Sequence, residues 1–466
     1  PHFSNIGWHE FYVMGYFLEM GVAHHRLTGG KDRRLYEAAI RCADHLDNTF
    51  GPSPKRTWKN GHPGMELALC RLGRLVNEVQ GSGAGDKYIR LAKHFLDHQY
   101  QIQPNPYDQS NKPAVELTNA EGHAVRATYF YTAMTDMALL LGDRAYQKAV
   151  DKIWANAIHR KHYLTGGVGA SHEGEAFSQD FDLRNDGYCE SCAGCGLSFW
   201  ADGMHRLHHD GHYRDVQERV LYNNLLGSVE LSGETFYYQN PLASDGRRYP
   251  WHGCPCCVGN IPRALIAIKD AMYSINDRKD TLYVSHFVYS QGTIPNVAGV
   301  SLGIRQETEY PWKGDVKITL QPSAAAEFAL NVRIPNRTES ELYTATPSLA
   351  GRFTLSVNGE GMSLPVEKGY VGIRRTWKAG DQVALSLPLE VQRVHCDERV
   401  AANRGRVALQ RGPLTYNVED VDLAGPVRKM ILKPDVPLQA VWQPDLLRGV
   451  MTIEGPGIKA IPNYAR

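Results

Sequence analysis

The chain divides by the period of its apolar positions. Through residue 277 they recur at helical spacing: Leu35, Ala38, Ala39, Cys42 and Leu46 fall at i, i+3 and i+4, as do Tyr88, Leu91, Ala92, Phe95 and Leu96. Further stripes cover 124–141, 146–158, 197–207, 216–226 and 261–275. Between stripes lie Gly29-Gly30, Gly61-His62-Pro63-Gly64 and the glycine-rich stretches 81–85 and 166–169, which stop helices and turn the chain. Paired helices joined this way predict a helical toroid. No fixed-length repeat is present, so an α/α barrel fits better than a solenoid.

From residue 278 the period falls to two. Segments 281–285, 316–320, 328–334, 353–357 and 382–387 alternate, with turn residues such as Asn358-Gly359 and Ala379-Gly380-Asp381 between them. The pattern predicts a β-sandwich over 278–392 and the remainder of the β-sandwich region over 393–466. The fold class is therefore multidomain, helices first and sheets after.

Composition narrows the function classes. With 466 residues the chain exceeds one compact core. Lys plus Arg number 51 against 50 Asp plus Glu, a formal net charge of +1 with no block of one sign, which argues against nucleic acid and anionic membranes as partners. The longest apolar runs, such as 137–141, fall far short of the roughly 20 residues that span a bilayer. The chain opens Pro-His-Phe-Ser, without initiator Met or apolar leader, and reads as cut or processed. The expected compartment is a bacterial cytoplasm or periplasm.

Six of nine cysteines lie in two short segments, 188–195 (Tyr-Cys-Glu-Ser-Cys-Ala-Gly-Cys) and 254–260 (Cys-Pro-Cys-Cys-Val-Gly-Asn). A disulfide framework would spread them, and adjacent Cys256 and Cys257 are poor partners for each other. Cys42, Cys70 and Cys396 read as ordinary buried thiols. The clustered six call for a metal or a reaction. Two tetrahedral zinc sets remain open from spacing alone: Glu190, Cys192, Cys256 and Cys257, or the paired C-x-x-C set Cys192, Cys195, Cys254 and Cys257.

Several segments resemble the zinc-dependent β-L-arabinofuranosidases of glycoside hydrolase family 127, in family order and across nearly the whole chain. They are Gly122-His123-Ala124-Val125-Arg126-Ala127, His172-Glu173-Gly174-Glu175-Ala176-Phe177, the stretch from Asn185-Asp186 to Cys192, the stretch 254–260, and 405–413 (Gly-Arg-Val-Ala-Leu-Gln-Arg-Gly-Pro). The resemblance implies an (α/α)6 barrel over 1–277, lacking its N-terminal part, followed by β-sandwich domains. It implies a retaining glycosidase releasing a terminal L-arabinofuranose or related furanose-like sugar from plant glycans. Cys256 would be the nucleophile and Glu175 the acid/base, with Zn2+ on Glu190, Cys192, Cys256 and Cys257. His62, His123 and Tyr238 would contact the sugar. The implied partner is a carbohydrate, and a homodimer is compatible with this class.

Two departures bear on the substrate. Gly15-Tyr16-Phe17 stands where the compared enzymes have Gly-His-Leu, and Val258-Gly259-Asn260 where they have Pro-Pro-Asn. Hydrolases of aceric acid in pectin side chains belong to the same broad group. Two other mechanisms compete: a hydrolase that activates zinc-bound water and uses cysteines only as ligands, and a non-enzymatic carbohydrate-binding protein with structural zinc.

Overall fold

A computed structural model describes residues 2–244, 248–337 and 340–465. The chain forms two compact units, one of Pro1–Lys161, Val168–Asp182 and Gly187–Leu207, the other of His162–Gly167, Leu183–Asp186 and His208–Arg466.

The first unit is helical: α1 (Glu10–Leu27), α2 (Arg34–Thr49), α3 (Met65–Gln80), α4 (Asp86–His98), α5 (Ala124–Leu141), α6 (Arg144–Arg160) and α7 from Ser191. α1 packs on α2 and α3, α3 on α4 and α5, and α5 on α6. The stripes of α2 and α4 point inward as their period requires; α2 buries Tyr36, Ala39, Ala43 and Leu46. The helical stripes in the sequence do not cover α1 and α3, for a physical reason. α3 buries every residue from Met65 to Cys70, and α1 is apolar outside (Val13, Met20, Leu27) as well as inside (Phe11, Leu18), so neither shows a one-sided period.

α5 is likewise buried on nearly all sides. Its interior hydroxyls are satisfied within the helix: Thr128 donates to the Ala124 carbonyl at 3.0 Å, Thr132 to that of Thr128 at 2.7 Å and Thr135 to that of Tyr131 at 2.8 Å. α7 lies directly against it. A Cβ at Gly196 would fall 2.1 Å from Thr128 Oγ1, while Trp200 meets Tyr131 at 5.1 Å and Trp154 of α6 at 4.8 Å between ring centroids.

The second unit holds α8 (Gly211–Arg219), α9 (Cys256–Met272) and three sheets. The stripe 216–226 leaves the α-helix at Val220–Leu225, a π turn. There the fully buried Asn223 donates to the Pro413 carbonyl at 2.9 Å and accepts from Thr415 N at 2.8 Å, pairing with a strand edge that a regular turn would not address. The stripe 261–275 also ends early. Tyr273–Ile275 is the first strand, so sheet structure begins before the expected boundary at 278.

A five-stranded sheet runs Tyr273–Ile275, Thr281–Val284, Ala326–Arg333, Tyr370–Trp377, Val366–Glu367. A six-stranded sheet runs Ser290–Val297, Val300–Thr308, Asp315–Pro322, Gln382–Ser386, Thr354–Val357, Glu360–Met362. One core joins their inner faces, with Val284, Phe328, Leu330 and Trp377 from one and Ile304, Ile318, Leu355 and Val383 from the other. The third sheet has seven strands, including Val391–Cys396 and the early strand Tyr343–Thr346. Arg333, fully buried, closes the five-stranded sheet onto α8 through Asp215 and Glu218.

Gly196→Ala tests the close α5–α7 approach. Forcing one methyl into this contact should cost about 1–3 kcal/mol, read as a lower urea midpoint for loss of helical circular dichroism; an unchanged midpoint would refute the contact.

Candidate active site

Four segments of the first unit are held together by backbone hydrogen bonds. Phe177 N donates to the Gly122 carbonyl at 2.9 Å, Ser171 N to Ala176 at 3.0 Å, Tyr188 N to Ala170 at 3.2 Å and Cys189 N to Gly169 at 2.8 Å. Glycine is required at two points of this frame. Gly122 has φ 72°, and a Cβ there would lie 2.1 Å from the Pro106 carbonyl oxygen; Gly169 has φ 84°, and its Cβ would meet that of Ala124 at 2.7 Å.

The frame presents His123, Glu175 and Glu190. His123 caps α5, its Nδ1 accepting from Arg126 N at 3.3 Å. An accepting Nδ1 leaves the proton on Nε2 in the neutral ring, and Nε2 lies 2.9 Å from Glu175 Oε2, so the histidine donates to the carboxylate. The other oxygen, Glu175 Oε1, accepts from Tyr188 Oη at 2.6 Å. Glu175 itself sits at φ 51°, in a short turn with Gly174 at φ 65°. Glu190 is buried immediately before α7, its carbonyl accepting from Ala193 N at 3.0 Å, and Cys192 follows in the first turn. The ligand atoms of His123, Glu175 and Glu190 all lie within 4.8 Å of one another.

His62 extends this cluster. Its loop folds around the buried Glu66 carboxylate, which accepts from Asn60 Nδ2 at 3.2 Å and Gly64 N at 3.1 Å. Burial raises the Glu66 carboxyl above its ordinary range. His62 Nδ1 donates to the Pro63 carbonyl at 3.0 Å, and its ring centroid is 5.8 Å from that of His123. Desolvation, aided by the charge of Arg126, holds His62 well below the usual imidazole range. It is therefore neutral, with Nε2 as an acceptor.

Tyr107, which the sequence pattern does not single out, and Arg126, which stood there only within the segment 122–127, complete the wall. The Tyr107 ring meets the His123 ring edge-on at 5.4 Å, and Arg126 Cζ lies 4.9 Å over its face. Tyr188 was visible only as a member of the 188–195 segment; its hydrogen bond to Glu175 had no signal in the sequence.

In the second unit Cys256 and Cys257 open α9, with Pro255 at the N-cap. Cys256 Sγ is 3.8 Å from Tyr238 Oη and 3.9 Å from Cys257 Sγ, and Tyr238 stacks on His252 at 3.9 Å. Glu190, Cys192, Cys256 and Cys257 form a group that could hold a metal ion. The alternative set with Cys195 and Cys254 is not such a group among the described residues, and Cys254 is exposed. All nine cysteines are thiols. Of the three unclustered ones, Cys70 is buried and Cys42 and Cys396 are half-buried; burial raises all three, Cys396 to about 11.

Comparison with known proteins defines the class. The β-L-arabinofuranosidase catalytic-domain model of family 127 matches residues 2–270, its middle domain 281–389 and the family's C-terminal domain 391–466. A non-reducing end β-L-arabinofuranosidase of Bifidobacterium longum subsp. longum is 32% identical over 505 residues, covering 98% of this chain and 73% of that protein. A solved family 127 β-arabinofuranosidase matches with TM-score 0.91 at 34% identity, over 98% of this chain and 74% of that one. The family 127 β-L-arabinofuranosidase of Geobacillus stearothermophilus T6 matches with TM-score 0.87 at 34% identity, over 99% and 78%. Fold and sequence together define a glycosidase, which sets aside the non-enzymatic alternative. The chain belongs to glycoside hydrolase family 127. Among the described residues no helix is long and apolar enough to cross a membrane.

Tyr188→Phe removes a hydrogen-bond donor to Glu175. A hydrogen bond to a charged group contributes about 1.5–3 kcal/mol, so kcat/KM for glycoside hydrolysis should fall roughly 10- to 150-fold with the melting temperature little changed. An unaltered kcat/KM would show that this bond has no part in turnover.

Proposed function

We propose that this chain releases a terminal β-linked L-arabinofuranose, or a closely related furanose, from plant glycans with retention of anomeric configuration. Cys256 is the nucleophile, Glu175 the acid/base, and residues 1–277 belong to an (α/α)6 barrel. The observation that carries this reading is the hydrogen-bonded Glu175, gripped by Tyr188 and His123 in one cluster with Glu190, which also belongs to the thiol-rich group. The sugars named for the relatives supply the substrate class.

Three sulfurs and a buried carboxylate are a tetrahedral zinc donor set, so Glu190, Cys192, Cys256 and Cys257 fit Zn2+. Bound zinc would keep the Cys256 sulfur a thiolate at neutral pH, where a thiol with a pKa of about 8.5 is mostly protonated. The Cys256 sulfur attacks the anomeric carbon as Glu175 gives its proton to the departing oxygen. Glu175, now a carboxylate, then takes a proton from the water that displaces the sulfur, the reversal of role that a double displacement requires. His62 accepts from a sugar hydroxyl through Nε2, while His123 and Tyr238 contact the same ring.

Three measurements test this. Elemental analysis of reduced protein should give one zinc per chain, and proton NMR should show the retained anomer first. Glu175→Gln should slow ordinary glycosides by roughly 10²–10⁴-fold and aryl glycosides far less in the first step, whereas Cys256→Ala should abolish both. Absence of zinc, an inverted first product, or Cys256→Ala turnover near the parent rate would overturn the scheme, the last favouring a zinc-activated water.

A further inference from the structure

Glu175 occupies a left-handed backbone conformation one residue outside the hydrogen-bonded frame, beside a second carboxylate, and something must set its direction. The frame fixes Ala176 but leaves the Gly174–Glu175 turn to be held by side chains. One ring fills that role. A Cβ at Gly174 would meet Tyr107 Cε2 at 3.3 Å and Cδ2 at 3.6 Å, so the tyrosine lies flush against the turn. The same ring meets His123, the donor to Glu175, at 5.4 Å. Its own backbone is tied to that donor, since His123 N donates to the Tyr107 carbonyl at 3.0 Å.

Arg126 lies 4.9 Å over the face of the same ring and starts from the backbone N–H that fixes the His123 tautomer. The Arg126 guanidinium is charged at any pH of interest. Burial lowers it from its ordinary value, while Tyr107 and the charges of Asp108 and Glu175 act in the opposite direction.

We infer that Tyr107 and Arg126 are positioning residues for the acid/base: the Tyr107 ring wedges the Gly174–Glu175 turn and the His123 donor into register, and Arg126 holds the ring in place. This rests on Glu175 being the acid/base. A misplaced acid impairs proton delivery to poor leaving groups first, a signature that general loosening of the fold does not produce.

The test compares L-arabinofuranosides with an alkyl and a dinitrophenyl leaving group, zinc content being measured for each variant. Tyr107→Leu should lower kcat/KM on the alkyl glycoside about 10- to 100-fold more than on the dinitrophenyl one, mainly through kcat. Tyr107→Phe, which keeps the ring, should recover most of the loss. Arg126→Gln should show the same leaving-group dependence and serves if Tyr107→Leu fails to fold. An equal loss on both substrates, or a Tyr107→Phe protein as poor as Tyr107→Leu, would overturn the inference. Glu175→Gln run in parallel separates the two readings: if it shows leaving-group dependence and the Tyr107 and Arg126 variants do not, only the positioning role fails. If Glu175→Gln shows none, the acid/base assignment fails and the inference with it.

Discussion

The backbone frame that joins Gly122, Gly169–Ser171, Ala176–Phe177 and Tyr188–Cys189 is the constraint on which the glutamate side of the site depends. Each key side chain stands one residue from a frame hydrogen bond: His123 after Gly122, Glu175 before Ala176, Glu190 after Cys189. Loops ordinarily carry function at the expense of precision. Here short extended pairings, too irregular to count as a sheet, give loop residues the positional accuracy of strands. They also sustain strain. Glu175 at φ 51° and Cys189 at φ 45° adopt a conformation that costs a side-chain-bearing residue roughly 1–2 kcal/mol, and such positions persist only where their surroundings over-determine them.

Polar satisfaction inside the frame explains its residue types. A partly buried carboxylate held by donors on both oxygens cannot swing toward its neighbour Glu190, and the donors are of two kinds. Tyr188 gives a short phenolic bond, and His123 gives a ring N–H whose tautomer is set by Arg126 N rather than by the carboxylate. The imidazole is thus committed as a donor before any substrate arrives. His62 is committed in the opposite sense, its Nδ1 spent on Pro63 and its Nε2 left to accept. Two histidines with rings 5.8 Å apart are therefore fixed in opposite roles, His123 as a donor to the carboxylate and His62 with an accepting nitrogen.

Much of this architecture was legible in the sequence, and the parts that were not share a cause. Helical stripes marked α2, α4, α5 and α6 because each has a side whose chemistry differs from the other or a length no strand matches. α1 and α3 lack that contrast, and the π turn at Val220–Leu225 is set by what Asn223 meets 190 residues away, at Pro413. Sheet boundaries were blurred because Tyr343–Thr346 leaves its sequence neighbours to join the third sheet. At the site, cysteine clustering pointed to a metal-binding group but left two sets open, Glu190, Cys192, Cys256 and Cys257 or Cys192, Cys195, Cys254 and Cys257, because spacing alone does not say which side chains converge. Tyr107 carried no signal among 24 tyrosines, and Tyr188 and Arg126 stood only as members of quoted segments, since their contacts follow from backbone pairings that no local pattern encodes.

The thiol side obeys a different logic. Cys256 and Cys257 are the first two residues of a 17-residue helix, where unsatisfied backbone N–H groups and the helix dipole favour an anion. Tyr238 Oη stands 3.8 Å from the Cys256 sulfur. On the mechanism proposed above, these groups stabilise a thiolate in part independently of the metal. That matters for a nucleophile, because stabilising a sulfur anion by any one strong partner lowers its reactivity along with its pKa. A thiolate held by a helix terminus and a hydroxyl as well as by a bound metal would owe its ionisation to no single strong partner, so less of its reactivity would be lost than if the metal alone supplied it.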